Sequence, residues 1–320
     1  MKCAKIILLL AFSLPIYASG QDPVFTQTMT NPMYFNPAFA GMQQNLRSGI
    51  DHRIQWSSKY GVFLSTAFSA DIGLPKINSG IGIIFTNDIH GYDINTLTTN
   101  TFTAVYSYEF NLTNDNYLRL GAGVSFSAGI AALVGIVGTI PPWDMEPIPQ
   151  NPNLSIGTLY YRNNFYIGIS AYNIVPNLNP IPPNDGYLPT YSRLNLQSGG
   201  FLNFGKIMIN PHVDLLKQGN YEYIMPGLNL SLSAITIGAS YRYAFEYISS
   251  LNMLLGVKIW NLKLCYSYDY TLSGSTYPGY SGNNYVKATA GSHELSIVFQ
   301  FNKPHDTSSK PMIGNLRNAF

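Results

Sequence analysis

The 320-residue sequence holds only 11% Asp, Glu, Lys and Arg, against about 25% in an ordinary soluble domain, and 14% aromatic residues. A mean hydropathy of +0.03, with no run of ~20 apolar residues, excludes a bundle of membrane helices. A net charge of +2 with scattered Lys and Arg is too small to argue for nucleic acid as a partner. The mixture is that of a transmembrane barrel, in which only alternate residues face lipid; the rival, a secreted all-β sandwich, would carry more surface charge.

Residues 1–20 read as a signal peptide. Lys2 and Lys5 supply the positive start, Ile6–Tyr17 the apolar core, and Ala18-Ser19-Gly20 a small-residue cleavage site. Cys3 lies too early to accept a lipid. Cys265 is then the single thiol of the mature chain, so no internal disulfide and no cysteine metal cluster is expected.

Residues 21–42, QDPVFTQTMTNPMYFNPAFAGM, fit neither strand nor helix. Pro23, Pro32 and Pro37 remove backbone donors and push their predecessors out of helical geometry. Asn31-Pro32 and Asn36-Pro37 initiate turns, and Gly41 supplies a permissive stop. Phe25, Tyr34, Phe35 and Phe39 would not lie bare in water. The segment is a kinked, sticky arm that must dock on something.

From Asn45 the pattern has period two. Arg47, Asp51, Arg53 and Gln55 lie on one face, opposite Leu46, Ile50, Ile54 and Trp56; His52 is a blemish on the apolar face. The same split sets Glu109 against Tyr108 and Phe110, Arg119 and glycines against Leu118 and Leu120, and Arg242 and Glu246 against Tyr241 and Tyr243. It sets Lys263 and Asp269 against Leu262 and Tyr268, and Glu294 against Leu295 and Ile297. A barrel in lipid turns its charged face inward. About fourteen strands are predicted over residues 43–301, an even number as in bacterial single-chain barrels. They start near 44, 60, 79, 96, 115, 153, 164, 190, 206, 220, 234, 248, 262 and 290.

The even connections are short: 73–78, 112–116, 163–164, 205, 231–233 and 261. The long ones are odd: 88–95, 129–152, 175–189 and 273–289. Short turns are periplasmic and long loops external, so both mature termini are expected in the periplasm, with 302–320 a flexible tail. The apolar stretch from Gly129 to Ile140, with Pro141-Pro142-Trp143, is odd for an outer loop. It reads either as an extension of the fifth strand or as a partner-docking patch carrying Val137, Ile140, Pro141 and Trp143.

Chemistry is sparse. Asp88-x-His90 and His212-x-Asp214 place side chains on one strand face without a third member, so neither catalysis, a metal nor a cofactor is expected. The inward charges Arg47, Asp51, Arg53, Glu109, Arg119, Arg242, Glu246, Lys263, Asp269 and Glu294 either neutralise one another inside a closed barrel or line a selective pore. Their mixed signs favour the first.

Asp22-Pro23 with Phe25, then Asn31-Pro32, Tyr34, Asn36-Pro37-Ala38 and Ala40-Gly41, resembles the N-terminal signature of the PorP/SprF family of type IX secretion and gliding. The Gly291-Ser292-His293-Glu294 start of the last strand, and Arg53, Gln55-Trp56 and Asn87-Asp88, are similar too. The resemblance spans about 21–301. It implies a non-enzymatic barrel in the bacterial outer membrane, with secreted cargo or an adhesin signal domain as one partner. Periplasmic peptidoglycan-associated or ring components would be others. The alternative is a channel for a small or hydrophobic solute.

Fourteen strands would leave a lumen neither full nor usefully wide. The arm is expected to fold into it, burying Phe25, Tyr34 and Phe39 and bonding through Asn31 and Asn36. The competing placement is outside, on a periplasmic partner.

Overall fold

The computed structural model describes residues 22–43, 45–58, 61–92, 95–132, 145–148, 152–175, 191–245, 249–273 and 291–301. They form β1 (Arg47–Ser58), β2 (Gly61–Leu74), β3 (Ser79–Tyr92), β4 (Asn95–Asn111), β5 (Asn116–Ala132), β6 (Met145–Ile148), β7 (Asn153–Arg162) and β8 (Phe165–Tyr172). The second half comprises β9 (Arg193–Gly200), β10 (Leu202–Phe204), β11 (Ile207–Gln218), β12 (Tyr221–Leu232), β13 (Ile235–Ala244), β14 (Ser249–Ile259), β15 (Leu262–Ser273) and β16 (Ser292–Gln300).

Each strand pairs antiparallel with its neighbour. The ring closes because β1 pairs with both β2 and β16. β6 pairs only with the far end of β5, and β10 continues the line of β9 past Phe201, which turns inward and is fully buried. The result is a closed barrel of 14 strands. The largest offsets from the expected starts are 44 against Arg47 and 190 against Arg193.

Alternation sets the two faces. In β16 the residues are buried and exposed in turn. Ile50, Phe68, Phe85, Phe102, Leu120, Ile169, Leu255 and Leu295 are bare outside, an apolar band suited to lipid. His52, on this face, is paired rather than stranded: its Nδ1 lies 2.8 Å from Thr66 Oγ1, directly opposite on β2.

One mouth carries the tight turns Pro75–Asn78, Leu112–Asp115, Asn163–Asn164, Gly205–Lys206, Ser233–Ala234 and Trp260–Asn261. It also holds the start of β1 and the end of β16, where Phe301 N donates to Leu46 O at 3.0 Å. We call it the turn mouth and the other the loop mouth. Two expected connections change. The 88–95 loop shrinks to 93–94, because β3 runs on to Tyr92 and pairs in register with β4. The fifth strand runs on to Ala132, with β6 folded against its end.

The lumen holds the protein's main core. Phe25, Met29, Met33, Tyr34, Phe35, Ala38, Phe39, Ala40 and Met42 of the arm pack with Leu159, Tyr161, Tyr166 and Phe201 of the wall. The segment predicted to be irregular contains a one-turn helix, α1 (Pro32–Phe35), and a 3-10 turn at Pro37–Phe39. Both prolines sit at the first position of a turn, where a missing N–H costs nothing.

Candidate functional site

The candidate site is the arm seated in its barrel. Met33, Ala38 and Ala40 have no exposed surface and Phe25 is 1% exposed. Phe25 meets Tyr34 edge to face at 5.1 Å, Tyr34 meets Phe35 at 5.3 Å, and Phe39 meets Tyr166 at 6.1 Å. These are ring geometries that add to simple burial.

Three groups of contacts hold the arm. The first is a charge cluster at the seam between β1 and β16. Arg53 reaches Asp269 at 2.6 Å and Glu294 at 3.1 Å, and Arg242 approaches the same Asp269 oxygen at 3.4 Å. Thr26 sits in the middle: its hydroxyl donates to Asp269 at 2.7 Å and accepts from Arg53 at 2.8 Å and Arg242 at 2.6 Å. Glu294 accepts the Thr26 and Gln27 amides at 2.7 and 2.9 Å. Thr30 donates to Asp51 at 2.6 Å, and Arg47 donates to the Thr30 carbonyl and pairs with Asp71 at 3.7 Å. Buried charges are tolerated only when paired and hydrogen-bonded; here the arm completes the pairing.

The second group reads the arm's main chain. Ser170 and Asn195 donate to the Phe35 carbonyl at 2.5 and 2.9 Å, and Tyr172 donates to that of Met33. Arg119 donates to the carbonyls of Ala38 and Ala40 at 2.9 and 2.5 Å while pairing with Glu109 at 3.0 Å. Asp71 accepts the Gly41 amide at 2.8 Å. These bonds satisfy backbone groups that irregular structure would otherwise leave unpaired in a dry interior.

The third is a track of glycines on the inward face of β3, β5 and β7. A Cβ on Gly121 would lie 2.3 Å from the Ala38 nitrogen, one on Gly157 2.1 Å from Asn36 Oδ1, and one on Gly80 2.1 Å from the Ala40 carbonyl oxygen. The Asn36–Gly41 run therefore lies flat on the wall, and its own small residues complete the fit. Gly41 has φ +66, and a Cβ there would meet Gly80 at 2.5 Å.

Asn36 links track and turn: Nδ2 donates to the Thr158 carbonyl at 2.9 Å and Oδ1 accepts the Ala38 amide at 2.9 Å. Asn31 is buried with its side chain beside the Asp51 carboxylate, and it serves α1 through its carbonyl, which accepts the Tyr34 amide at 3.1 Å. Asp22 pairs with Arg193 at 3.2 Å, and the Arg193 guanidinium lies between the rings of Tyr34 (4.3 Å) and Tyr172 (4.5 Å). Pro23 accepts the Tyr34 hydroxyl at 2.6 Å.

Lys263 faces a cavity of about 40 Å³ between Thr26–Thr30 and β11–β15, room for only a few waters. Glu246, Val137, Ile140, Pro141 and Trp143 lie outside the described residues, as do 1–20 and 302–320. Sequence reasoning missed Thr26, Gln27, Thr30, Asp71, Arg193 and the glycine track. The legible signal was glycine recurring at inward positions where polar residues were due.

In both His/Asp pairs the carboxylate accepts from a hydroxyl. Asp88 stands between Ser65, which donates to it at 2.5 Å, and His90, so the histidine does not reach the hydroxyl. Asp214 is taken by Thr28 at 3.1 Å. Among the described residues no group of three His, Cys, Asp or Glu side chains is placed to hold a metal.

The family model described as type IX secretion system membrane protein PorP/SprF matches residues 18–299. No curated protein matches the chain. Among solved structures it is similar to the Ralstonia pickettii toluene transporter TbuX, at 10% identity over 84% of this chain and 92% of that one, TM-score 0.52. It is also similar to the CymD monoaromatic hydrocarbon channel, at 10% identity over 89% and 96%, TM-score 0.51. At such identities the likeness is one of fold.

Proposed function

Because the chain belongs to the PorP/SprF family of type IX secretion membrane proteins, we propose that it is an outer-membrane docking barrel rather than a conduit. The single observation that carries this reading is the filled lumen: an arm buried along nearly its whole length and bonded to the wall on several sides. In this reading the loop mouth faces the exterior, following the rule that barrels have short periplasmic turns and longer outer loops. Secreted cargo, or an adhesin's signal domain, docks on the loop mouth. Peptidoglycan-associated or ring components of the periplasm meet the turn mouth, where Trp260 stands 92% exposed at the tip of its turn. No chemistry is assigned to the barrel.

Deleting residues 135–149 tests the docking. The variant should remain heat-modifiable on gels yet fail to display cargo at the surface and fail to crosslink to it. Display at the wild-type level would remove this loop from the docking surface.

The reading from another class is a channel for a small or hydrophobic solute. The toluene transporter and the hydrocarbon channel share only the shape of this barrel, and the occupied lumen weighs against an open path. Conductance separates the two readings.

A further inference from the structure

The arm does not enter and leave the lumen by the same mouth. Gly41 is held at the turn mouth, where Asp71 takes its amide close to the end of β2 and a few residues before β1 begins. Asp22 is at the other end. Its amide donates to Gln218 Oε1 at 2.8 Å, and its carboxylate accepts from Asn173 Nδ2 at 3.1 and 3.2 Å and pairs with Arg193 at 3.2 Å. Gln218 ends β11, Arg193 begins β9, and Asn173 follows the last residue of β8. All three lie at the loop mouth.

The residues between trace the path. Thr26 and Gln27 lie on Glu294, in the loop-mouth half of β16; Thr30 lies lower, at Asp51 and Arg47. α1 turns back up, bringing Tyr34 to Pro23 and Arg193. Asn36–Gly41 then descends the glycine track to the start of β1. Asp22 thus lies at the mouth opposite the start of β1. The strand count puts the start of β1 beside the end of β16, but the arm before β1 crosses the full height of the barrel.

We infer that the N-terminal end of the mature chain is delivered through the lumen to the cell surface. There Asp22, Pro23 and Val24 stand beside the end of β8, the start of β9 and the end of β11. This rests on the orientation given under Proposed function. Arg193 is 2% exposed and Asp22 is its ion-pair partner; withdrawing the arm would strand that buried charge, so the end of the arm is pinned. A partner docking on the loop mouth meets the N-terminus; one in the periplasm does not.

The test uses a short epitope inserted before Asp22. Asn220→Cys marks the loop mouth and Asn163→Cys the turn mouth, all in a Cys265→Ser background. On intact cells the epitope should bind antibody and the cysteine at 220 should react with an impermeant maleimide, with no gain on permeabilisation. The cysteine at 163 should react only after it. An epitope silent on intact cells while 220 labels and 163 does not would overturn the inference and leave the orientation standing. Labelling at 163 with 220 and the epitope both silent would overturn the orientation as well. Should the epitope insertion lose heat-modifiability, Gln21→Cys labelled with the same maleimide separates the same outcomes.

Discussion

Glu294 accepts the Thr26 amide at 2.7 Å, and this bond ties the last strand of the barrel to the segment that fills it. The same carboxylate takes Arg53 of β1 at 3.1 Å, so one side chain joins first strand, last strand and arm. Breaking a buried pair by removing one partner costs about 3–5 kcal/mol, because it leaves an uncompensated charge. Glu294→Ala should lower the stability of the barrel in lipid by that order, read as a shift in its urea midpoint. The double variant with Arg53→Met should recover part of the loss. Additive losses would mean that the two residues do not act as a pair.

The glycine track makes a sharper demand. A side chain on Gly121 has backbone 2.3 Å away, with nothing flexible to yield. Gly121→Val should therefore unseat the Asn36–Gly41 run while leaving strand pairing intact. The expected signs are a heat-modifiable barrel whose arm is newly open to protease. Ala122→Val, one residue away on the exposed outer face, should change neither.

Outside, His52 and Thr66 form a polar pair on an apolar surface. Removing one partner of such a bond costs about 1–3 kcal/mol, whereas replacing both with apolar residues is nearly neutral. Thr66→Val should destabilise the barrel, and Thr66→Val with His52→Leu should do so less. Equal loss in single and double variants would contradict the pairing.

Much of the barrel was legible because burial in a wall one residue thick leaves a strict mark. Leu295, Ile297 and Phe299 alternate with Glu294, Ser296 and Val298, and the strand can pair in only one register without turning the wrong set to lipid. The arm was legible as a segment that breaks this pattern and carries aromatics to bury. Its path was not. Thr26 and Thr30 are unremarkable in sequence, and their role comes from which carboxylates the barrel brings to them. Arg193 was overlooked because its partner, Asp22, is far away in the chain and sits at a mouth the count of strands did not assign to it. The glycines were legible only as members of the polar face, since the backbone they accommodate arrives from another segment.

The most direct test of the account is single-channel conductance of the purified barrel in planar bilayers, with and without residues 21–38. The intact protein should be silent, its lumen closed by the arm. The deletion, checked for folding by heat-modifiability, should conduct and melt at a lower temperature. An intact barrel that already conducts, or a folded deletion that stays silent with an unchanged melting temperature, would contradict the claim that the arm is what closes it.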